Sequence, residues 1–182
     1  MKIKKTLSII KTILAIIGAL FLGAFALSTY AAISAITART KTDTAGKPDV
    51  RFVLNWCRLG AERTEEVVKS HISHRSFTGD HLDAYAIKLT HLSAAELEAA
   101  SDHLSRWHRA DGILPQILSD AVDFATSARH EIPWFPSKEK LLTSDFHIFP
   151  WSIRCHGITP SGVKLIFANP SEKMLYYISL ET

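Results

Sequence analysis

Between Lys11 and Arg39 the chain runs 27 residues without a charge, opened by Thr12 and closed by Ala38. At a rise of about 1.5 Å per residue such a helix reaches roughly 40 Å, more than the ~30 Å hydrocarbon core of a bilayer. Residues 12–38 are therefore expected to span a membrane. Lys2, Lys4, Lys5 and Lys11 precede the run and the first acid is Asp43. The positive-inside bias then keeps the N-terminus in the cytoplasm and places everything after Arg39 outside. A cleaved secretory signal is the alternative, with Ala24-Phe25-Ala26 as an A-x-A site and further small residues at Tyr30-Ala31-Ala32 and Ile33-Ser34-Ala35. Because the apolar character continues past each of these to Ile36, an uncleaved signal anchor in the cell membrane is preferred. The alternative product is secreted or periplasmic. The first cysteine, Cys57, follows Asn55-Trp56 well beyond the run, which argues against a lipoprotein signal.

The anchor also explains the overall charge of +3. Residues 1–39 hold five of the 21 basic residues and no acid, leaving 16 basic residues against all 18 acids in residues 40–182. A net charge of −2 on the exported part disfavours nucleic acid as a partner, since that would need Lys and Arg gathered on the folded domain. The expected partners are the membrane and another envelope protein. No motif implies a cofactor.

Residues 40–49 are polar, contain Gly46 and Pro48, and read as a tether ahead of one domain over residues 50–182. The fold class expected for it is α+β, with a βαβ-like start, two central helices and C-terminal antiparallel strands. Residues 50–56 (VRFVLNW) are β-branched and aromatic and are expected to form a strand, although Val50, Val53, Leu54 and Cys57 also fit one helical face. Residues 61–72 carry Glu62, Glu65 and Glu66 where acids suit a helix N-terminus, and residues 83–90 alternate as a strand. Ser93 and Glu96 form a capping-box pattern ahead of a stripe of Leu97, Ala100, Leu104 and Trp107. Pro115 opens a second helix whose apolar face runs through Leu114, Ile117, Leu118, Ala121, Phe124, Ala125 and Ala128, and Pro133 and Pro136 end it. Pro150 marks residues 146–154 as an edge or bulged strand, and residues 163–168 and 174–180 read as a hairpin.

All nine histidines lie in the exported domain, and the segment HISHRSFTGDHLD gathers His71, His74, Asp80, His81 and Asp83. Two histidines three apart on a helix face, followed by Asp80, His81 and Asp83 after a glycine turn, supply nitrogen and oxygen ligands for Zn²⁺ and an activated water. His71, His74 and His81 are the metal candidates. The spacing matches neither H-E-x-x-H nor H-x-H-x-D-H, and helix-end histidines favourable to the dipole explain the same residues more simply. No G-x-S-x-G, G-x-G-x-x-G or P-loop occurs. Cys57 and Cys155, outside the cytoplasm and at the ends of two expected strands, are a candidate disulfide. The expected function is that of a membrane-anchored extracytoplasmic binding or interaction domain. A small envelope hydrolase using the His71 to Asp83 cluster, metal-dependent or not, is the alternative.

Overall fold

The structure, a computed structural model, describes residues 2–37, 41–76, 78–99 and 107–182. It divides into two compact units, Met1–Arg39 and Thr40–Thr182. The first is one helix, α1 (Lys2–Thr37), whose window Ile13–Ile33 has a mean hydropathy of 2.1 and no buried surface. It is long and apolar enough to cross a membrane. Within it the Thr29 hydroxyl donates to the Phe25 carbonyl one turn back at 2.8 Å.

The second unit mixes helices with an antiparallel sheet of seven strands among the described residues. In chain order its elements are β1 (Lys41–Thr42), α2 (Lys47–Trp56), β2 (Thr64–Ile72), β3 (His81–Leu89), α3 (Ala94–Ala99), β4 (His108–Arg109), α4 (Gln116–Ser127), α5 (Lys138–Leu141), β5 (His147–His156), β6 (Thr159–Asn169) and β7 (Met174–Glu181). The sheet order is β1-β2-β3-β7-β6-β5-β4. Each face carries its own core. On one, α4 lays Leu118, Ala121, Val122 and Ala125 over Leu82, Ala84, Leu165, Phe167 and Ile178. On the other, α2 and α3 cover Tyr85, Ile87, Ile166, Ala168 and Tyr177.

The expected βαβ start is replaced by helix, strand, strand. Residues 50–56 form α2 because the helical period of Val50, Val53, Leu54 and Cys57, all buried, outweighs their β-branched content. Pro48 suits its first turn, and the Asp49 carboxylate accepts the Gly46 N–H at 2.7 Å. Residues 64–72, expected as a helix, are β2. Thr64, Val67, Val68 and Ile72 favour a pleated surface, and β2 pairs antiparallel with β3, so the connection is a hairpin and not a right-handed crossover. Glu65 and Glu66 stay exposed on this largely unpaired edge, where charges discourage further pairing.

Within the tether expected over residues 40–49, residues 41–45 are paired with or hydrogen-bonded to β2 and residues 47–49 are helical. Lys41 and Thr42 pair with Ile72 and His71. Asp43 donates its N–H to the Ser70 carbonyl at 2.9 Å and accepts from Ser70 N–H and from Lys69. The Ser70 hydroxyl accepts from Thr44 and Ala45.

Other expectations hold in part. Ser93 Oγ accepts the Glu96 N–H at 3.3 Å, while the Glu96 carboxylate turns to Arg63 at 2.5 Å instead of completing the capping box. Ala100 and Leu104 of the expected stripe, with His103, lie outside the described residues, and Trp107 is buried in the segment before β4. The β6–β7 hairpin is present. β5 is both bulged and, beyond the two residues paired with β4, an edge.

Candidate functional site on the open half of the sheet

Three rows of residues cross β3, β7, β6 and β5 on the face that carries α2. They are Tyr85–Tyr177–Ile166–Phe149, then Asp83–Ser179–Lys164–Ser152, then His81–Glu181–Gly162–Arg154. The first row is apolar and belongs to the core. The second and third are polar and open into two cavities that meet at Lys164. One, about 450 Å³, is lined by Phe52, Trp56, Arg75, His81, Asp83, Lys164, Tyr177 and Ser179. The other, about 250 Å³, is lined by Ser152, Arg154, Gly162, Val163, Lys164 and Glu181.

The wall of this groove is aromatic. Phe52 and Trp56, a helical turn apart on α2, meet edge to face at 4.7 Å, and Phe52 reaches Tyr177 at 5.5 Å. Trp151 stacks on Trp56 at 4.9 Å with an interplanar angle of 5°. The bulge of β5 puts it there: the register slips between Pro150 and Ser152, so Trp151 and Ser152 both face α2. On the floor, Gly162 lets Arg154 lie flat across β6, since a Cβ at that position would sit 3.1 Å from the guanidinium.

Charge is arranged in pairs with one remainder. Arg75 Nη2 meets Asp83 Oδ2 at 2.8 Å, and Arg154 pairs with Glu181. The ammonium of Lys164 has no carboxylate partner among the described residues and stands 5.5 Å from the centre of the Trp56 ring, a cation–π contact. Asp83 Oδ1 is buried with no donor among the described residues. His81 Nδ1 donates to the Gly79 carbonyl at 2.8 Å, which leaves Nε2 to accept the Ser179 hydroxyl at 2.9 Å. Burial, with a smaller push from the Asp83 charge, raises the Tyr85 hydroxyl to about 12 and the Tyr177 hydroxyl further, so both remain proton donors at neutral pH.

Of the five residues expected to form the site, two meet in it. His81 and Asp83 lie on the groove face. His71 pairs with Ala84 in β2 and so points to the opposite face, where it is buried with Nε2 unpartnered among the described residues. His74 is in the loop after β2, and Asp80 is held in that loop by the Thr78 hydroxyl at 2.8 Å. The segment is a strand end and a loop, so the helical spacing that would have aligned His71 with His74 does not exist. Among the described residues no three His, Cys, Asp or Glu side chains gather as a metal would require. The candidate disulfide is not formed: Cys57 and Cys155 are separate thiols. Cys57 caps α2 in the core, directed at the Val53 carbonyl at 3.2 Å, and burial pushes its thiol up to about 12. Cys155 is exposed near the end of β5, opposite Pro160.

Lys164, Ser179, Arg154, Glu181, Tyr177 and Trp56 are groove residues that sequence reasoning missed. The available signal was a break in alternation. β6 carries Gly162 and Lys164 where the same face continues as Ile166 and Ala168, and β7 carries Tyr177 and then Ser179 and Glu181. Comparison with protein-family models, with curated proteins and with solved structures gives no match.

Proposed function

We propose that the protein is a membrane-anchored binding domain, held outside the cytoplasm by α1, whose site is the polar groove on the open half of the sheet. One observation carries the binding reading: Lys164, the only groove cation without a carboxylate partner among the described residues, stands between two cavities beside an aromatic wall. Small-ligand pockets combine apolar walls with a few convergent polar groups in this way, at roughly 300–1,000 Å³. The anchor reading is supported by the apolar length of α1, and the outward orientation by Lys2, Lys4, Lys5 and Lys11.

Cys155 is a built-in reporter of topology, since Cys57 is buried. A membrane-impermeant maleimide, added to cells with an intact cytoplasmic membrane and a permeable outer layer, should label Cys155. Labelling only after lysis would reverse the topology. For the groove, the full chain in neutral-lipid nanodiscs should give a saturation-transfer signal on benzoate, a small aromatic monoanion, and Lys164→Glu should abolish it. Equal signals from both proteins would remove the groove as a binding site.

The His81–Ser179 contact supports a second reading, a hydrolase in which Ser179 is the nucleophile and His81 Nε2 takes its proton. It ranks second because Ser179 is 2% exposed and lies in β7 between two paired strands, with no pair of free backbone N–H groups beside it among the described residues to hold an oxyanion. Covalent labelling of Ser179 by a fluorophosphonate, lost in His81→Ala, would promote it.

A further inference from the structure

We infer that the groove takes a carboxylated saccharide, with its carboxylate on Lys164 and its hydroxyls on the Arg75–Asp83 and Arg154–Glu181 pairs; this deepens, and rests on, the binding reading above. Charge complementarity is the first argument. Arg75 and Arg154 are each engaged by a carboxylate, and only Lys164 lacks one among the described residues. A site with one uncompensated cation suits one anionic group per ligand unit. A densely charged polyanion would meet Asp83 and Glu181 on the same floor and be repelled by them.

The second argument is the kind of hydrogen bonding on offer. Each Arg–carboxylate pair presents donors and acceptors side by side, which matches the vicinal hydroxyls of a sugar, since each hydroxyl both donates and accepts. Asp83 Oδ1, buried without a donor among the described residues at the edge of the larger cavity, is an acceptor still to be satisfied. The third argument is the wall. A pyranose ring has an apolar C–H face and a polar rim, and the larger cavity sets Phe52 and Trp56 beside a hydroxyl- and charge-bearing floor. An acidic peptide would use Lys164 but leave the paired donors and acceptors of the floor poorly matched.

The test uses the full chain in neutral-lipid nanodiscs with benzoate as the reporter ligand. In the parent, trigalacturonate should displace benzoate at least ten-fold more tightly than galactotriose; in Lys164→Met, followed by the saccharides' own saturation-transfer signals, the two should bind alike, and Trp56→Ala should weaken both. Far-UV spectra of the variants matching the parent would show that they are folded. If triglutamate displaces benzoate as well as trigalacturonate does, the saccharide assignment is overturned while the groove remains a site. Displacement by no saccharide has the same meaning. If benzoate itself gives no signal that depends on Lys164, both readings fall together.

Discussion

The two faces of the sheet are built from the same strands and solve opposite problems. On the α4 face, Leu82, Ala84, Val163, Leu165, Phe167, Ile178 and Leu180 are buried along the length of β3, β6 and β7. On the α2 face the apolar cover stops after the Tyr85 row, and the next positions are Asp83, Lys164 and Ser179. Nothing in the backbone demands this. Residues 82, 163 and 180, one step along the same strands, are apolar and buried, so apolar side chains at 83, 164 and 179 could have extended the second core. Polar residues placed where burial was available cost stability, which the proposed binding surface would account for.

Substitutions that treat the faces differently test the contrast. The largest effect is expected for Phe167→Ala, fully buried on the α4 face, which should lower the unfolding free energy by about 3–5 kcal/mol in urea denaturation. A loss near 1 kcal/mol would mean that this face is not the tighter core. Next, Leu54→Ala removes a fully buried side chain beneath α2 and should cost about 2–4 kcal/mol, marking the covered half of the other face as core too.

A smaller effect is expected with pH. His147 lies on the α2 side, opposite Ala168, with Glu98 at 3.8 Å and Arg109 and Asp111 also near it. Burial, only partly offset by Glu98, holds its pKa below 6.5. The folded state therefore favours the neutral ring. That contribution is complete above the unfolded value of about 6.5 and is lost as pH falls from there through the folded value. Urea midpoints measured from pH 7.5 to 5 should decline in the parent and decline less in His147→Gln; parallel curves would assign the acid loss elsewhere.

The smallest change is expected for Asp83→Leu. Its partner Arg75 is more than half exposed and remains solvated when Asp83 is removed, so no buried charge is stranded and the loss is that of a partly exposed pair, no more than about 1 kcal/mol. Binding of benzoate and saccharide should nonetheless change. A loss above 3 kcal/mol would make Asp83 a structural residue and dissolve the contrast between the faces.

The elements legible in the sequence are those whose local signals agree with their tertiary setting. α4 has its proline ahead of an apolar stripe, β6 and β7 are apolar runs around an Asn-Pro turn, and Pro150 announces the irregularity of β5. The N-terminal half of the domain misleads because its signals compete. Residues 50–56 carry a strand's composition on a helix's period, and residues 61–72 carry a helix's opening acids on a strand that β3 pairs. The groove was legible only in part, for a different reason. His81 and Asp83 fall in a visibly polar stretch, but Lys164, Ser179 and Arg154 join them through register, and register is set by pairing across residues nearly 100 positions apart.

The two-residue strand β1 has a mechanical meaning. Tension arriving along the chain from the N-terminal side enters the domain at Lys41, meets the β1–β2 hydrogen bonds, and then meets Asp43 and the Ser70 hydroxyl that pins residues 44 and 45. This clasp of two paired residues and a few hydrogen bonds to Ser70 is the first structure on that path. The next element on that path is α2, which supplies Phe52 and Trp56 to the groove wall. Along the chain, then, tension entering at Lys41 meets the wall of the groove before it meets α4.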